Sequence, residues 1–367
     1  MREPLFESNL LRASLARCFE QPPELFNITR VADLSPGLAR SRVFRLYIED
    51  AQGLGRWPST VILKIPDTGI EGGVKPGDAL TTQRERRLIE SRLLDALPRG
   101  LKAPSVYGID VSGEQTWIWM QDMARPLAVV WRPSLARLAA GRCALLHKFY
   151  RENESRLSQL DGLSRDGWAL YAHYIPACHE NLDALLRRGS EASLFDRDEI
   201  AGLHQCLEAF DWADGQMRRL KHTFMHGDFH IRNLGLDDDE ALVMLDWAHA
   251  GFAPHGCDIA TFSSVYKLFG GFTDEDFSTF ERSMVAEYCR ALKEAGETEV
   301  TASEVQRACT LWHLTWGLHL RLGPGLSALL SGAMRNEAEQ SRSRTDIRIG
   351  CAHVLREFER TLSWESQ

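Results

Sequence analysis

At 367 residues the chain is longer than one hydrophobic core of ordinary size supports, so two lobes are expected. A formal net charge of −8, with no basic run or Lys/Arg stripe, argues against nucleic acid or an anionic membrane surface as the main partner. Eight scattered cysteines without Cys-x-x-Cys spacing, and no apolar run of about 18 residues, fit a soluble cytoplasmic protein with reduced thiols.

Patterning predicts a leading helix over residues 10–18 and then strands over 28–34, 43–48 and 60–65, which are β-branched and alternating. Between the first two strands lies Ser35-Pro36-Gly37-Leu38-Ala39-Arg40-Ser41, a turn by composition with the single glycine Gly37. In Val61-Ile62-Leu63-Lys64-Ile65, Lys64 shares a strand face with Ile62, so its ammonium projects from a half-apolar face. A connection over 66–78 leads to a helix over 79–96, stopped by Pro98 and Gly100, which carries the acids Glu85 and Glu90. Further strands fall at 104–109 and 115–121, the second leaving through Gln121-Asp122-Met123.

From Pro126 the pattern turns helical. Helices are predicted over 134–150, with Leu135, Leu138, Leu145 and Leu146 on the buried side, and over 168–187, 196–220, 277–295, 302–322 and 345–362. Trp312 and Trp316 fall one turn apart on one helix face, suited to core packing, or to a wall for a sugar ring or a cage for a quaternary ammonium.

The densest chemistry lies in Met225–Asp246, MHGDFHIRNLGLDDDEALVMLD. An apolar lead-in delivers His226, Gly227, Asp228, His230, Arg232 and Asn233, and a β-like run follows at 234–236. An acidic tip then separates it from Ala241-Leu242-Val243-Met244-Leu245, which delivers Asp246, and this is a hairpin signal. Asp228, Asn233 and Asp246 form an oxygen-rich set that suits phosphoryl transfer: Asn233 and Asp246 as Mg²⁺ ligands, Asp228 as acceptor for the proton of an attacking hydroxyl. A second reading is a metal site of His226, Asp228 and His230, at alternating positions of an extended segment.

The spacing resembles the catalytic loop of the kinase-like superfamily. His226-Gly227-Asp228 and Leu245-Asp246-Trp247 are similar to the corresponding motifs of the aminoglycoside phosphotransferase and choline kinase group. The resemblance implies an α+β bilobal kinase-like fold, with a β-rich nucleotide-binding lobe over 1–122 and a mostly helical catalytic and substrate-binding lobe over 123–367. It implies that Lys64 holds the α- and β-phosphates, that Glu85, with Glu90 as the rival, pairs with Lys64, and that the loop around Gly37 covers the nucleotide. Backbone groups at Gln121 and Met123 would meet an adenine edge, which leaves ATP and GTP undistinguished. Asp258, in Asp258-Ile259-Ala260, is expected to cap a helix or bond back to the catalytic loop.

The function implied is transfer of the ATP γ-phosphoryl group to a hydroxyl of a small molecule, with an antibiotic such as an aminoglycoside as the first candidate. A metabolite kinase of the choline, ethanolamine or sugar type and a non-catalytic nucleotide-binding regulator are the alternatives. The acceptor and the oligomeric state leave no short motif.

Overall fold

The computed structural model describes residues 8–35, 41–55, 57–66, 81–112, 115–160, 163–188, 194–270, 274–334 and 336–365. Gly37 and most of the connection after Lys64 lie outside the described residues. The fold is α+β, and the chain divides into two compact units that are not contiguous in sequence. One comprises Met1–Val129, Leu160–Gly162 and Gly235–Ala248, and the other Val130–Gln159, Leu163–Leu234 and His249–Gln367.

The strands among the described residues are β1 (Phe26–Asp33), β2 (Arg42–Asp50), β3 (Thr60–Ile65), β4 (Leu101–Lys102), β5 (Val106–Ser112), β6 (Gln115–Gln121), β7 (His222–Met225), β8 (Leu234–Leu236), β9 (Leu242–Met244) and β10 (Gly251–Pro254). In the first unit an antiparallel sheet runs β1-β2-β3-β6-β5. The helix Ser8–Cys18 packs on it, and Leu11, Leu15 and Ala16 join Phe26, Leu46, Val61, Leu63 and Trp119 in one core. Trp119 satisfies its buried indole N–H on Ser14 Oγ at 2.9 Å, as a buried ring nitrogen must.

Central β3 is buried from Val61 through Ile65, so neighbours cover both of its faces and Lys64 is itself interior. Alternation alone had suggested one half-apolar face. The helix expected over 79–96 is shorter, Thr81–Glu90, with a separate 3-10 turn at Leu94–Ala96. A second sheet, β4-β9-β8, holds the acidic hairpin. Its tip is ion-paired: Lys102 meets Asp237, and Arg125 reaches Asp238 at 2.9 Å.

In the second unit the helix Pro133–Glu152 buries an alanine face, Ala136, Ala139, Ala140 and Ala144, with Cys143 and Leu146. Leu135, Leu138 and Leu145 stay partly exposed, because this face packs closely against Asp274–Glu294 and small side chains permit the approach. The helix expected over 196–220 is two, Arg197–Glu208 and Phe210–Arg219, with Ala209 at φ −78° and ψ 4° between them. Both bury the same side, Leu203, Cys206 and Leu207 continuing into Phe210, Ala213 and Met217, so the periodic signal ran through the break. Beyond Ala302–Trp312 the helix widens into π turns at His313–Gly317 and Arg321–Gly325, the latter containing Pro324, which has no N–H to give the ladder.

All eight cysteines are free and six are buried. Burial pushes the Cys178 thiol up to about 12, as for an inert core thiol. Among the described residues no helix is long and apolar enough to cross a membrane.

Candidate active site

In the first unit, Lys64 projects from β3 and meets Glu85 Oε2 at 2.5 Å and Asp246 Oδ1 at 2.7 Å. Burial works against its charge, but the two carboxylates outweigh it and hold Lys64 above the ordinary lysine range, so it stays an ammonium. Glu85 sits on Thr81–Glu90, five residues before exposed Glu90, which pairs with half-buried Arg86 at 2.7 Å and so is not the partner of Lys64. The other oxygen of Glu85 accepts the N–H of Trp247 at 3.3 Å. One buried carboxylate therefore fixes both the strand lysine and the residue after Asp246.

Asp246 follows β9 with φ 61°, the left-handed region that an aspartate visits at a cost of about 1 kcal/mol. The strained turn aims its carboxylate at Lys64 while leaving the side chain 39% exposed. Buried Arg84 steadies the same segment, donating to Ala248 O at 2.9 Å. The sequence did not single out Arg84, since nothing in Arg84-Glu85-Arg86-Arg87 distinguishes it from its neighbours. At the end of β6, Gln121 gives its backbone N–H to Ser105 O at 2.8 Å, and Met123 O accepts from Leu127 at 3.1 Å. Arg45 holds Asp122 between them, Nε to Oδ2 at 2.6 Å.

In the second unit, β7 pairs antiparallel with β10, Met225 opposite Gly251, and releases the chain into the 226–233 loop. Gly227 turns it at φ 82°, where a Cβ would lie 2.0 Å from His249 O, so only glycine fits. Asp258, in the first turn of Cys257–Gly270, accepts the backbone N–H of His226 at 2.8 Å and of Gly227 at 3.0 Å. This is the bond back to the loop that the sequence allowed, and a carboxylate there also suits the helix N-terminus.

Asn233 Nδ2 donates to Asp228 Oδ2 at 2.7 Å and to Asp228 O at 3.1 Å. His230 Nε2 stands 3.1 Å from Asp228 Oδ1, and its Nδ1 accepts from Arg232 N–H at 3.2 Å, so Nε2 carries the proton. Burial works to raise the Asp228 carboxyl, but the bond from His230 and the nearby His249 and His226 hold it below the usual carboxylate range. The alternative metal site of His226, Asp228 and His230 is not assembled. The segment turns instead of running extended, and His226 Nδ1 accepts the Asp228 N–H at 3.2 Å. Trp312 is buried, its indole N–H donating to Thr261 Oγ1 at 2.9 Å, and its ring stacks on Trp316 with centroids 5.8 Å apart.

The two clusters supply an anion-holding ammonium with exposed carboxylate oxygen, and an ionised carboxylate locked beside an amide, the parts that phosphoryl transfer needs. Solved structures share the fold: a spectinomycin phosphotransferase in complex with ADP and spectinomycin has a TM-score of 0.53 at 12% identity, covering 97% of this chain and 100% of that one. An amicoumacin kinase in complex with AMP-PNP, Ca²⁺ and Ami has a TM-score of 0.54 at 14% identity, covering 95% and 96%. A thermostable mutant of an aminoglycoside phosphotransferase in its apo form has a TM-score of 0.50 at 14% identity, covering 94% and 98%. No curated protein matches this chain by sequence. The model of the phosphotransferase enzyme family matches residues 39–299, well over half the chain and inclusive of both clusters, and the chain belongs to that family.

Proposed function

We propose that this phosphotransferase moves the γ-phosphoryl group of ATP to a hydroxyl of a small molecule, with an antibiotic of the aminoglycoside kind as the first acceptor class. The observation that carries the reading is the buried Lys64 ammonium held by both Glu85 and Asp246. A fixed cation of this kind is what nucleotide phosphates require, and ion pairing on both sides keeps the buried ammonium charged. Backbone groups at Gln121 and Met123 are proposed to take the base edge, a mode compatible with GTP as well as ATP. The loop containing Gly37 is proposed to cover the phosphates.

The donor chemistry fits Mg²⁺, a hard ion that takes few protein ligands and wants oxygen. Asp246 would offer its partly exposed carboxylate, and Asn233, whose amide nitrogen is turned to Asp228, would offer the amide oxygen. Bound there, the ion would neutralise charge on the phosphate oxygens. Asp228 orients the acceptor hydroxyl and takes its proton as the oxygen–phosphorus bond forms. Because His230 holds its carboxyl low, Asp228 is a weak base whose work is chiefly orientation, with proton transfer late.

Antibiotic acceptors are favoured because two solved proteins with this fold at TM-scores above 0.5 carry antibiotic names. The test is incubation with ATP and Mg²⁺ against a library of aminoglycosides, other antibiotics, sugars and amino alcohols, read by mass increase. One or more antibiotics gaining a phosphoryl group is the expected result. Phosphorylation of choline, ethanolamine or sugars alone would move the assignment to a metabolite kinase, and nucleotide binding without any product would favour a regulator.

A further inference from the structure

Three side chains far apart in the chain meet in the core of the second unit: Glu281 on Asp274–Glu294, His313 at the start of the first π turn, and His353 on Glu337–Glu365. They are 1%, 2% and 2% exposed, and one donor atom from each lies within 4.8 Å of the other two. His313 Nε2 is 2.6 Å from Glu281 Oε2, and His353 Nε2 is 3.9 Å from Glu281 Oε1. Nitrogen and oxygen donors set tetrahedrally about 2.0–2.1 Å from a zinc ion stand roughly 3.4 Å apart, within this spread. We propose that Glu281, His313 and His353 are the protein ligands of a buried structural divalent metal ion of the zinc class.

Four features point the same way. Among the described residues Glu281 has no lysine or arginine partner, and a fully buried carboxylate needs a compensating positive charge. His353 Nε2 has no hydrogen-bond partner among the described residues, is buried, and faces Glu281, while its Nδ1 lies 3.5 Å from Ser278 Oγ. Glu281 is also oriented from behind, by Ser263 Oγ at 2.6 Å and Gln306 Nε2 at 3.1 Å, as metal-bound carboxylates are. The π turn that presents His313 is a costly departure from regular helix, of a sort that recurs at functional positions.

Two imidazoles and a carboxylate select zinc-like ions over Mg²⁺ or Ca²⁺. Coordination through His313 Nε2 displaces the proton now shared with Glu281, which leaves to solvent, and no electron moves. The other clustered set, Cys143, His147 and Asp258, is a poorer candidate, since Asp258 is engaged in holding the loop amides of His226 and Gly227, and burial pushes the Cys143 thiol up, away from the thiolate that binds a metal.

The full chain, expressed with added zinc and dialysed, is assayed for metal content and by X-ray absorption at the zinc edge. About one zinc per chain is expected, with nitrogen and oxygen neighbours at about 2.0–2.1 Å and no sulfur near 2.3 Å. His353→Gln should lose the metal and melt at a lower temperature. His179→Gln/His204→Gln, which removes a stacked histidine pair elsewhere in the unit, should keep it. Sub-stoichiometric zinc in the wild-type chain would overturn the proposal and leave the hydrogen bond from His313 as what holds Glu281. A zinc–sulfur shell, or full zinc retention in His353→Gln, would overturn it too. Should His353→Gln fail to fold, metal content and absorption of the wild-type chain decide alone.

Discussion

Lys64 and Glu85 are 6% and 5% exposed at the side chain, so removing the ammonium leaves Glu85 charged, buried and short of its main counter-ion. Lys64→Ala is expected to destabilise the chain by roughly 3–5 kcal/mol in urea titrations and to abolish transfer, whereas Lys64→Met combined with Glu85→Gln, which removes both charges, should recover most of the stability and none of the activity. A double variant as unstable as the single one would show that packing, not charge, dominates there. Asp228 supplies the pH prediction. Its carboxyl is held low in the folded chain, so the stability it contributes is present above the ordinary carboxylate pKa of about 3.9 and is lost only as pH falls through the lower folded value. His230→Ala removes the principal stabilising partner, and the acid limb of kcat/KM should move to higher pH. A limb that does not move would remove His230 from the role of holding Asp228 ionised.

At the scale of elements, the catalytic-loop candidate depends on a strand, a glycine and a helix start acting together. Asp258→Asn keeps one acceptor but turns an amide NH₂ toward a backbone N–H, so one of the two loop bonds is lost at about 1–3 kcal/mol. The expected signature is kcat reduced more than tenfold with KM for ATP nearly unchanged, measured by steady-state kinetics on folded protein, because the residue positions the loop without touching nucleotide. An unchanged kcat would contradict it. Gly227→Ala should be worse, at least about 2 kcal/mol by thermal melting, since a Cβ meets His249 O at 2.0 Å. What sequence could show at this scale followed from periodicity and spacing. The 225–246 hairpin, β3, β6 and the Glu85 helix were legible as elements from local pattern, although not the burial of both faces of β3 or the early end of that helix. Three readings failed where neighbours decide the outcome: the alanine face of Pro133–Glu152 carries little periodic hydrophobicity, the break at Ala209 has no glycine or proline, and the π turns lengthen a helix without interrupting its apolar stripe.

For the molecule as a whole, the residues named from the motif fall into two clusters, Lys64–Glu85–Asp246 in one unit and Asp228–Asn233 in the other. Arg84, His230 as the partner of Asp228, and the Glu281–His313–His353 set were not legible as such, because each acquires its meaning only from a residue that folding brings beside it. The acceptor is silent for a related reason: a fold hosts many specificities, and the shape of a site leaves no short motif. In the proposed reaction, oxygen donors and a fixed ammonium make most of their contribution in the transition state of phosphoryl transfer. The most direct test of these roles is turnover of γ-labelled ATP with an identified acceptor by wild-type, Asp228→Ala and Asp246→Ala chains whose circular dichroism shows them folded. Losses of about a thousandfold or more in kcat are predicted for both variants, and near-normal turnover in both would contradict the assignment.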